Sequence, residues 1–241
     1  MFRKNILIYG ATGSIGNSVL NLIRNNKEQF NVVGITCNSN IDKLLDIAYE
    51  FECSNLGINN EKIIKNNPKL KDYIVHVGLD EFFKLMNSNV DIIIFAIAGS
   101  SPLNLLLDLS TSGKIIGMAN KGCIICLGKT LLKIASDSST KIVPLDSEHN
   151  ALFQLMKNKN RDSIRKYTIT ASGGSFFNLN KSKMKKITPA QAISHPKWKM
   201  GKKISVDSST LMNKGLEIIE ACILFNINSN KIDAIVHPES I

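Results

Sequence analysis

Long apolar runs are missing from this chain. No stretch of about 18 consecutive apolar residues exists that could cross a membrane as a helix. The amino terminus MFRKNILIYG reaches a glycine after only a few apolar residues, too soon for the apolar region of a signal peptide. We therefore expect a cytoplasmic protein with no membrane partner.

Cysteine is scarce and odd in number, which argues against a disulfide framework. The five cysteines lie mostly in apolar segments, as expected for free structural thiols in a reducing compartment: Cys37, Cys53, Cys123, Cys126 and Cys222. Cys123 and Cys126 form one CxxC pair, but a zinc site needs two further ligands at matching spacing, and none is near.

Aromatic residues are also few, with one Trp, 4 Tyr and 10 Phe, and none alternates with basic clusters. This argues against a nucleic acid as the partner. The net charge of +10 then favours a nucleotide or a phosphorylated small molecule, although much of the excess lysine lies in Lys/Asn/Ile-rich stretches typical of compositional bias.

Short β-branched segments alternate with helical patterns through residues 1–145, which predicts an α/β fold with a Rossmann-like, doubly wound parallel sheet. The helices are expected at 15–26, 41–51, 79–87, 103–112 and 128–137. Residues 146–241 indicate an α+β catalytic domain, with a helix at about 150–157, the strand YTITAS, an irregular stretch at 173–205 and a helix that starts near 208. Because the chain stops at HPESI directly after a strand, this domain is expected to be incomplete.

A glycine loop separates the first strand from the first helix. The segment YGATGSIGN is a GxxGxxG variant of the dinucleotide fingerprint, in which glycine allows a tight turn and bare backbone beside the pyrophosphate. The predicted cofactor-binding residues of this loop are Gly10, Thr12, Gly13, Ser14, Ile15 and Gly16. A tight turn without a ligand is the alternative.

The end of the second strand favours NADP over NAD. Asn38, Ser39 and Asn40 stand where an NAD-binding domain carries an acidic residue for the ribose hydroxyls. Without that carboxylate a 2′-phosphate is not repelled, although Asp42 stands close by.

Two carboxylates follow the seventh strand at PLDSEHN. Asp146 and Glu148 would repel each other unless a cation or proton neutralises them, while Asp146 or Ser147 could equally cap the next helix. Farther on, Asn213, Lys214 and Glu217 have helical spacing and share one face. With Asp146 and Glu148, Glu217 would complete a three-carboxylate site for Mg²⁺ or Mn²⁺.

Candidate phosphate-binding residues lie between these two constellations. Ser172 begins the segment SGGS, whose backbone amides and hydroxyls could hold a phosphate, and Ser208 is expected at the start of a helix, a natural oxyanion site. His195, Trp198 and Met200 belong to a Pro/Gly/Lys-rich loop without apolar periodicity, which is interpreted as a lid over the ligand.

The segments GATGSIG, MANK, PLDSEHNALFQ, ASGGSF, HPKWKMGKKISVDSSTLMNKGLEIIEA and IVHPESI are similar to successive motifs of the 1-deoxy-D-xylulose 5-phosphate reductoisomerase family. The resemblance covers essentially the whole chain, in the order and spacing of the family. It implies NADPH-dependent isomerisation and reduction of 1-deoxy-D-xylulose 5-phosphate to 2-C-methyl-D-erythritol 4-phosphate with a divalent metal, in non-mevalonate isoprenoid biosynthesis, by an enzyme that forms a homodimer.

The resemblance also implies roles for individual residues. The metal ligands would be Asp146, Glu148 and Glu217, and Lys121, Ser147 and Lys214 would act on the substrate oxygens. The remaining substrate contacts would be Ser172, His195, Trp198, Met200, Ser208 and Asn213, and Asn38, Asn40 and Asn120 would lie on the cofactor side.

Departures from the family pattern keep a second hypothesis open. Gly122 replaces a carboxylate of the family, Asn38 and Ser39 replace glycine and a basic residue, and the family's carboxyl-terminal helical domain is missing. The alternative is a degenerate or truncated NADP-binding protein without turnover, whose dimerisation is in doubt. A short-chain dehydrogenase fits less well, because Tyr167 has Ala171 rather than lysine four residues on.

Overall fold

The computed structural model describes residues 3–65, 67–86, 89–194 and 201–237. The chain divides into two compact units, Met1–Asp146 and Ser147–Ile241. The division falls one residue after the boundary expected from the sequence, so Asp146 is the last residue of the first unit. No helix among the described residues is long and apolar enough to cross a membrane.

The first unit is built on a seven-stranded sheet in which all strands run parallel, in the order β4-β3-β2-β1-β5-β6-β7. Its strands are β1 Lys4–Tyr9, β2 Phe30–Cys37, β3 Asn55–Ile58, β4 Ile74–Val77, β5 Ile92–Phe95, β6 Ile115–Met118 and β7 Lys141–Pro144. The chain order reverses between β1 and β5, and ligands of open α/β sheets bind at such a switch point, beyond the carboxyl ends of the strands. The predicted α/β doubly wound sheet is confirmed.

Five helices connect these strands: α1 Ser14–Arg24, α2 Ile41–Glu50, α3 Leu79–Met86, α4 Leu103–Leu109 and α5 Lys121–Asp137. The first two pack apolar faces on one hydrophobic core with β1, β2 and β3, in which Leu20 and Leu44 are almost fully buried. Burial of such side chains contributes about 1.5–3 kcal/mol each. The sheet is therefore held rigidly beneath the loops at its carboxyl edge.

Helix α5 differs from the sequence prediction of a helix at 128–137. It begins at Lys121, and Gly128 inside it has φ 54° and ψ −134°, so that the element consists of two helical segments joined at a kink. The second segment corresponds to the predicted helix, and the first segment, which starts at Lys121, was missed. Asn120 caps this first segment by accepting a hydrogen bond from Cys123 N.

The second unit contains helices α6 Ser147–Met156, α7 Lys181–Met184, α8 Pro189–Ala192, α9 Lys202–Ser209 and α10 Met212–Phe225, with strands β8 Tyr167–Ala171 and β9 Ile232–Val236. The two strands pair in parallel. A core formed by α6, α10 and the strands includes Leu152, Tyr167, Ala221 and Phe225. This core places α6 beside α10.

Two expectations for the second unit were wrong. The stretch 173–205 is not irregular throughout, because α7, α8 and the start of α9 lie in it. The helix expected to start near 208 is two helices, because Leu211 adopts a left-handed backbone with φ 61° between α9 and α10. The sequence has no glycine or proline at Leu211 that would predict the break. A residue other than glycine rarely adopts this conformation.

The cysteines are free, as expected, and Cys37, Cys53 and Cys123 are buried. Burial raises the pKa of each of these three thiols to about 11. Cys126, by contrast, is exposed. Buried neutral thiols behave as small apolar side chains, in agreement with a structural role.

Candidate active site

The glycine loop at the end of β1 is shaped by two very close backbone approaches. Gly10 has φ 85°, and a Cβ there would lie 2.7 Å from Ala96 O. A Cβ on Gly16 would lie 2.5 Å from Gly10 O and 2.6 Å from Ala11 O. Gly10 therefore allows the segment after β5 to approach the loop, and Gly16 allows α1 to pack against it, as the dinucleotide fingerprint demands.

The remaining loop residues face outward. Gly13 precedes the first residue of α1, and its N–H donates to Gly10 O over 3.1 Å. Ser14 and Ile15 in the first turn are exposed, and Thr12 is half-buried. An anionic ligand could reach the amino terminus of this 11-residue helix, because the residues around it are exposed. The helix dipole favours negative charge at that end.

The end of β2 is hydrogen-bonded to the glycine loop. Thr36 accepts from Ala11 N through its carbonyl, at 2.9 Å, and from Gly10 N through its hydroxyl, at 3.0 Å. Asn38 and Asn40 follow, both exposed. Asn40 caps α2 by accepting from Lys43 N, and Asn38 accepts from the Asn59 amide over 3.3 Å. Asn38 and Asn40, both predicted to bind the cofactor, thus follow the strand that is bonded to the glycine loop, and their side chains also make hydrogen bonds within the protein.

Asn120 has a structural role that the sequence did not indicate. It is 5% exposed, and its amide donates to Ile97 O at 2.6 Å and Gly99 O at 2.7 Å while its oxygen caps α5. The two bonds donated by the amide connect the segment after β6 to the segment after β5, and the third caps α5. The resemblance implies that Asn120 lies on the cofactor side. A cofactor that contacted its side chain would compete with these hydrogen bonds for the same amide and oxygen atoms.

Lys121 and Asp146 form an ion pair at the carboxyl edge of the first unit. The Lys121 ammonium lies 2.8 Å from Asp146 Oδ2, and their side chains are 19% and 23% exposed. Lys121 is the first residue of α5, and Asp146 follows β7.

Within the second unit, Glu148 and Glu217 meet at the ammonium group of Lys214. Lys214 Nζ lies 2.6 Å from Glu148 Oε1, forms an ion pair with Glu217 and donates to the carbonyl of Thr170 in β8. Lys214 and Glu217 are 7% and 1% exposed, so this ion pair is largely removed from water. A carboxylate oxygen of Glu148 also lies within 4.8 Å of one on Glu217.

The face of α10 toward this cluster carries Asn213, whose amide donates to Glu217 Oε1. On the other side, the Ser147 hydroxyl donates to Glu148 Oε2 over 2.6 Å. Two carboxylates with one ammonium leave a formal charge of −1 on the Glu148, Glu217 and Lys214 cluster. Carboxylate oxygens are the ligands that hard divalent cations prefer.

Two residues that the sequence did not single out hold this cluster in place. His149 is fully buried in α6, its Nε2 lies 2.8 Å from the carbonyl of Glu217, and its Nδ1 lies 3.3 Å from Glu220 Oε2. Glu220 follows Glu217 by three residues on the same face of α10, and its buried carboxylate was predictable from that spacing. The imidazole thus connects the helix of Glu148 to the helix of Glu217.

Ser172 and Ser208 belong to elements that lie against each other. Gly173 and Gly174, directly after Ser172, have φ 87° and 69°, and a Cβ on Gly174 would lie 2.0 Å from Ser208 O. Ser208 is in the last turn of α9 and not at a helix start, so the prediction of an oxyanion site at a helix amino terminus was wrong. Unpaired backbone N–H groups occur at the start of a helix and not at its end, so only the hydroxyl of Ser208 could donate a hydrogen bond to an anion here.

The lid prediction for His195, Trp198 and Met200 lies outside the described residues. Ser175, in the segment after Gly174, donates its hydroxyl to Ser194 O over 2.7 Å. The chain just before the predicted lid is therefore connected to the SGGS segment.

The fold and the two clusters define a class: a Rossmann-type α/β protein with a dinucleotide-type glycine loop and a separate acidic unit. Family models for 1-deoxy-D-xylulose 5-phosphate reductoisomerase match residues 6–128, and models for the C-terminal domain of the same enzyme match residues 142–225. The chain belongs to the 1-deoxy-D-xylulose 5-phosphate reductoisomerase family.

Individual relatives agree with this assignment. The enzyme of Wolbachia from Brugia malayi is 43% identical over 245 residues, and that of Clostridium perfringens strain 13 is 41% identical over 247. Each match covers 99% of this chain but only 62% and 64% of the relative. The chain thus spans less than two thirds of their length.

Solved structures give the same result. A crystal structure of DOX-P reductoisomerase in complex with NADPH, fosmidomycin and magnesium superposes with TM-score 0.90 at 35% identity, covering 99% of this chain and 62% of that one. The Zymomonas mobilis enzyme in complex with NADPH gives TM-score 0.89 at 35% identity, covering 100% and 63%.

Proposed function

We propose that this chain carries the reductoisomerase chemistry of its family: NADPH-dependent conversion of 1-deoxy-D-xylulose 5-phosphate to 2-C-methyl-D-erythritol 4-phosphate with a divalent metal. The observation that carries the proposal is the convergence of Glu148 and Glu217 on the buried ammonium of Lys214. Related structures that contain NADPH, fosmidomycin and magnesium support the same assignment.

The donor set fits a hard divalent cation. Asp146, Glu148 and Glu217 would supply carboxylate oxygens, the ligands that Mg²⁺ and Mn²⁺ prefer. Neighbouring donors orient two of them, because Ser147 donates to Glu148 and Asn213 donates to Glu217. When bound, the metal would polarise the ketone and hydroxyl oxygens of the substrate as a Lewis acid.

Lys214 and Lys121 supply positive charge beside these carboxylates. The developing negative charge on a substrate oxygen during rearrangement of the carbon skeleton is stabilised by a fixed cation in a site of low dielectric constant. Lys214 is held by three partners, so its ammonium is already positioned before the reaction. Lys121 forms an ion pair with Asp146.

Binding of the phosphate end is assigned to the hydroxyls of Ser172 and Ser208 together with Asn213 and Lys214. The contact of Gly174 with the end of α9 brings the two serine-bearing segments together. A distant phosphate anchor provides binding energy that can be used to orient the reacting end of the substrate. The lid residues His195, Trp198 and Met200 are proposed to close over it, and the cofactor to bind the glycine loop of the first unit.

The direct test is consumption of NADPH by the 241-residue chain with the phosphorylated pentulose and Mn²⁺, followed as loss of absorbance at the nicotinamide band. Turnover that falls at least a hundredfold in Glu217→Gln supports the proposal. The control is Lys203→Met, because Lys203 pairs with Asp207 on an exposed face of α9.

NADPH binding without any turnover would contradict the enzymatic proposal and favour the alternative, an NADP-binding protein without catalysis. Gly122 is the feature that motivates this alternative, since it stands where the family carries a carboxylate. Restoring activity with Gly122→Glu would assign the loss to that position.

A further inference from the structure

Lys43 connects the first turn of α2 to the glycine loop after β1. We infer that Lys43 is the cation that recognises the 2′-phosphate of NADPH in this chain and so determines the preference over NADH. The inference rests on the proposed cofactor function and deepens it. It concerns a lysine in helix α2, in a chain whose β2 loop has Asn38 and Ser39 and no basic residue.

The position of Lys43 is fixed at both ends of its side chain. Its backbone N–H donates to the Asn40 cap over 3.2 Å, which places the residue in the first turn of α2. Its ammonium donates to the carbonyl of Thr12 in the glycine loop over 2.8 Å. The 2′ position of the adenosine ribose lies beyond the end of β2 in this fold, so the ammonium is on the correct side of the sheet for it.

The remaining hydrogen-bonding capacity of Lys43 suits a phosphate. An ammonium group has three donors, and one of them goes to a neutral carbonyl. Among the described residues no carboxylate forms an ion pair with Lys43, whose ammonium contacts a neutral carbonyl. Two further donors and a full charge are then available to the oxygens of a dianion.

The acidic residue that could oppose this role is neutralised. Asp42 precedes Lys43, and its carboxylate lies 2.6 Å from the ammonium of Lys69. That pair is well exposed, with side chains 79% and 64% accessible, so Asp42 points away from the buried end of the loop. The local charge facing the glycine loop is therefore that of Lys43.

The test is titration calorimetry of the 241-residue chain with NADPH and NADH, and with adenosine 2′,5′-bisphosphate and AMP as fragments. Lys43→Met keeps the apolar stem and removes the charge. We expect it to weaken NADPH and the bisphosphate about tenfold or more while NADH and AMP change less than twofold. Lys43→Arg should retain most of the preference, and the wild-type preference should fall with added salt.

The matched control is Lys133→Met, which removes an exposed lysine from α5 where it pairs with Asp137. If Lys43→Met weakened the binding of NADPH and NADH equally, Lys43 would act only by supporting the glycine loop. If it weakened the binding of neither, Lys43 would not be involved. Either result overturns this inference and leaves the proposed cofactor function intact. A wild-type chain that binds neither nucleotide would contradict the proposed cofactor function as well.

Discussion

At the scale of single residues, the molecule is organised around the buried Lys214. Its helical spacing from Glu217 and Asn213 was visible in the sequence, because residues three and four apart on a helix share a face. Its contacts with Glu148 and with the Thr170 carbonyl were not, since these partners lie 66 and 44 positions away in the chain. His149 was missed because a buried contact between two helices leaves no local pattern, whereas the helical spacing of Glu220 from Glu217 was visible in the sequence.

Replacing Lys214 should therefore affect stability as well as chemistry. Lys214→Met leaves the Glu148 and Glu217 carboxylates facing each other without their shared cation, which is expected to cost about 3 kcal/mol of unfolding free energy. Added Mn²⁺ should raise the melting temperature of this variant more than that of the wild type, because it would supply the missing positive charge.

Thermal and urea unfolding measure this effect. The control is again Lys203→Met, whose loss of an exposed i,i+4 pair should cost no more than about 0.5 kcal/mol. Equal stability of the two variants would contradict the view that Lys214 compensates buried charge.

At the scale of elements, the sequence predicted the strands better than the helix ends. The short β-branched segments predicted in residues 1–145 form the seven strands of the sheet, because parallel strands buried on both faces need continuous apolar runs. Helix boundaries failed where backbone conformation overrides residue type. Leu211 breaks the α9–α10 segment with a left-handed backbone, and the helical segment from Lys121 to the kink at Gly128 was missed.

The two glycines of α5 should respond in opposite directions to the same substitution. Gly128→Ala is expected to destabilise by about 1–3 kcal/mol, because its backbone at φ 54° and ψ −134° is unfavourable for alanine even though nothing lies within 4 Å of the added Cβ. Gly122→Ala should be neutral or stabilising by about 0.5 kcal/mol, since its Cβ would meet only Asn120 Oδ1 at 3.4 Å.

Urea unfolding of the two alanine variants checks this prediction, and each serves as the control for the other. If both lost the same stability, the kink at Gly128 would not be the preferred state of the helix.

The first strand and the fifth are connected at their amino ends by Asp91. Its carboxylate accepts hydrogen bonds from Asn5 N at 2.9 Å and from Lys4 Nζ at 3.1 Å. The hydrogen bond from the Asn5 backbone contributes most to lowering the pKa of Asp91, and the one from Lys4 contributes next. A lowered folded-state pKa gives stability that is present above the unfolded value of about 3.9 and is lost as the pH falls through the folded value.

Asp91→Asn should therefore reduce the free energy of unfolding at pH 7, and the difference from the wild type should shrink as the pH falls below about 4. Denaturation at a series of pH values measures it. A difference that stays constant from pH 7 to pH 3 would show that the ionised carboxylate is not what stabilises this end of the sheet.

At the scale of the whole molecule, two compact units divide the candidate chemistry between them. The first unit holds the glycine loop, Lys43 and the Lys121–Asp146 pair, and the second holds Glu148, Lys214 and Glu217. The sequence predicted the two kinds of fold because α/β alternation stops near residue 145. It also predicted the family, which the comparisons confirm, because the motifs keep their order along the chain.

The central claim is that the carboxylates of Asp146, Glu148 and Glu217 bind one divalent cation. Titration of the 241-residue chain with Mn²⁺, followed by electron paramagnetic resonance of the free ion, measures it directly. The account predicts one ion bound per chain, with affinity reduced at least tenfold in Glu217→Gln and unchanged in Cys126→Ser, whose thiol is exposed in α5. Equal Mn²⁺ binding by Glu217→Gln and the wild type would contradict it.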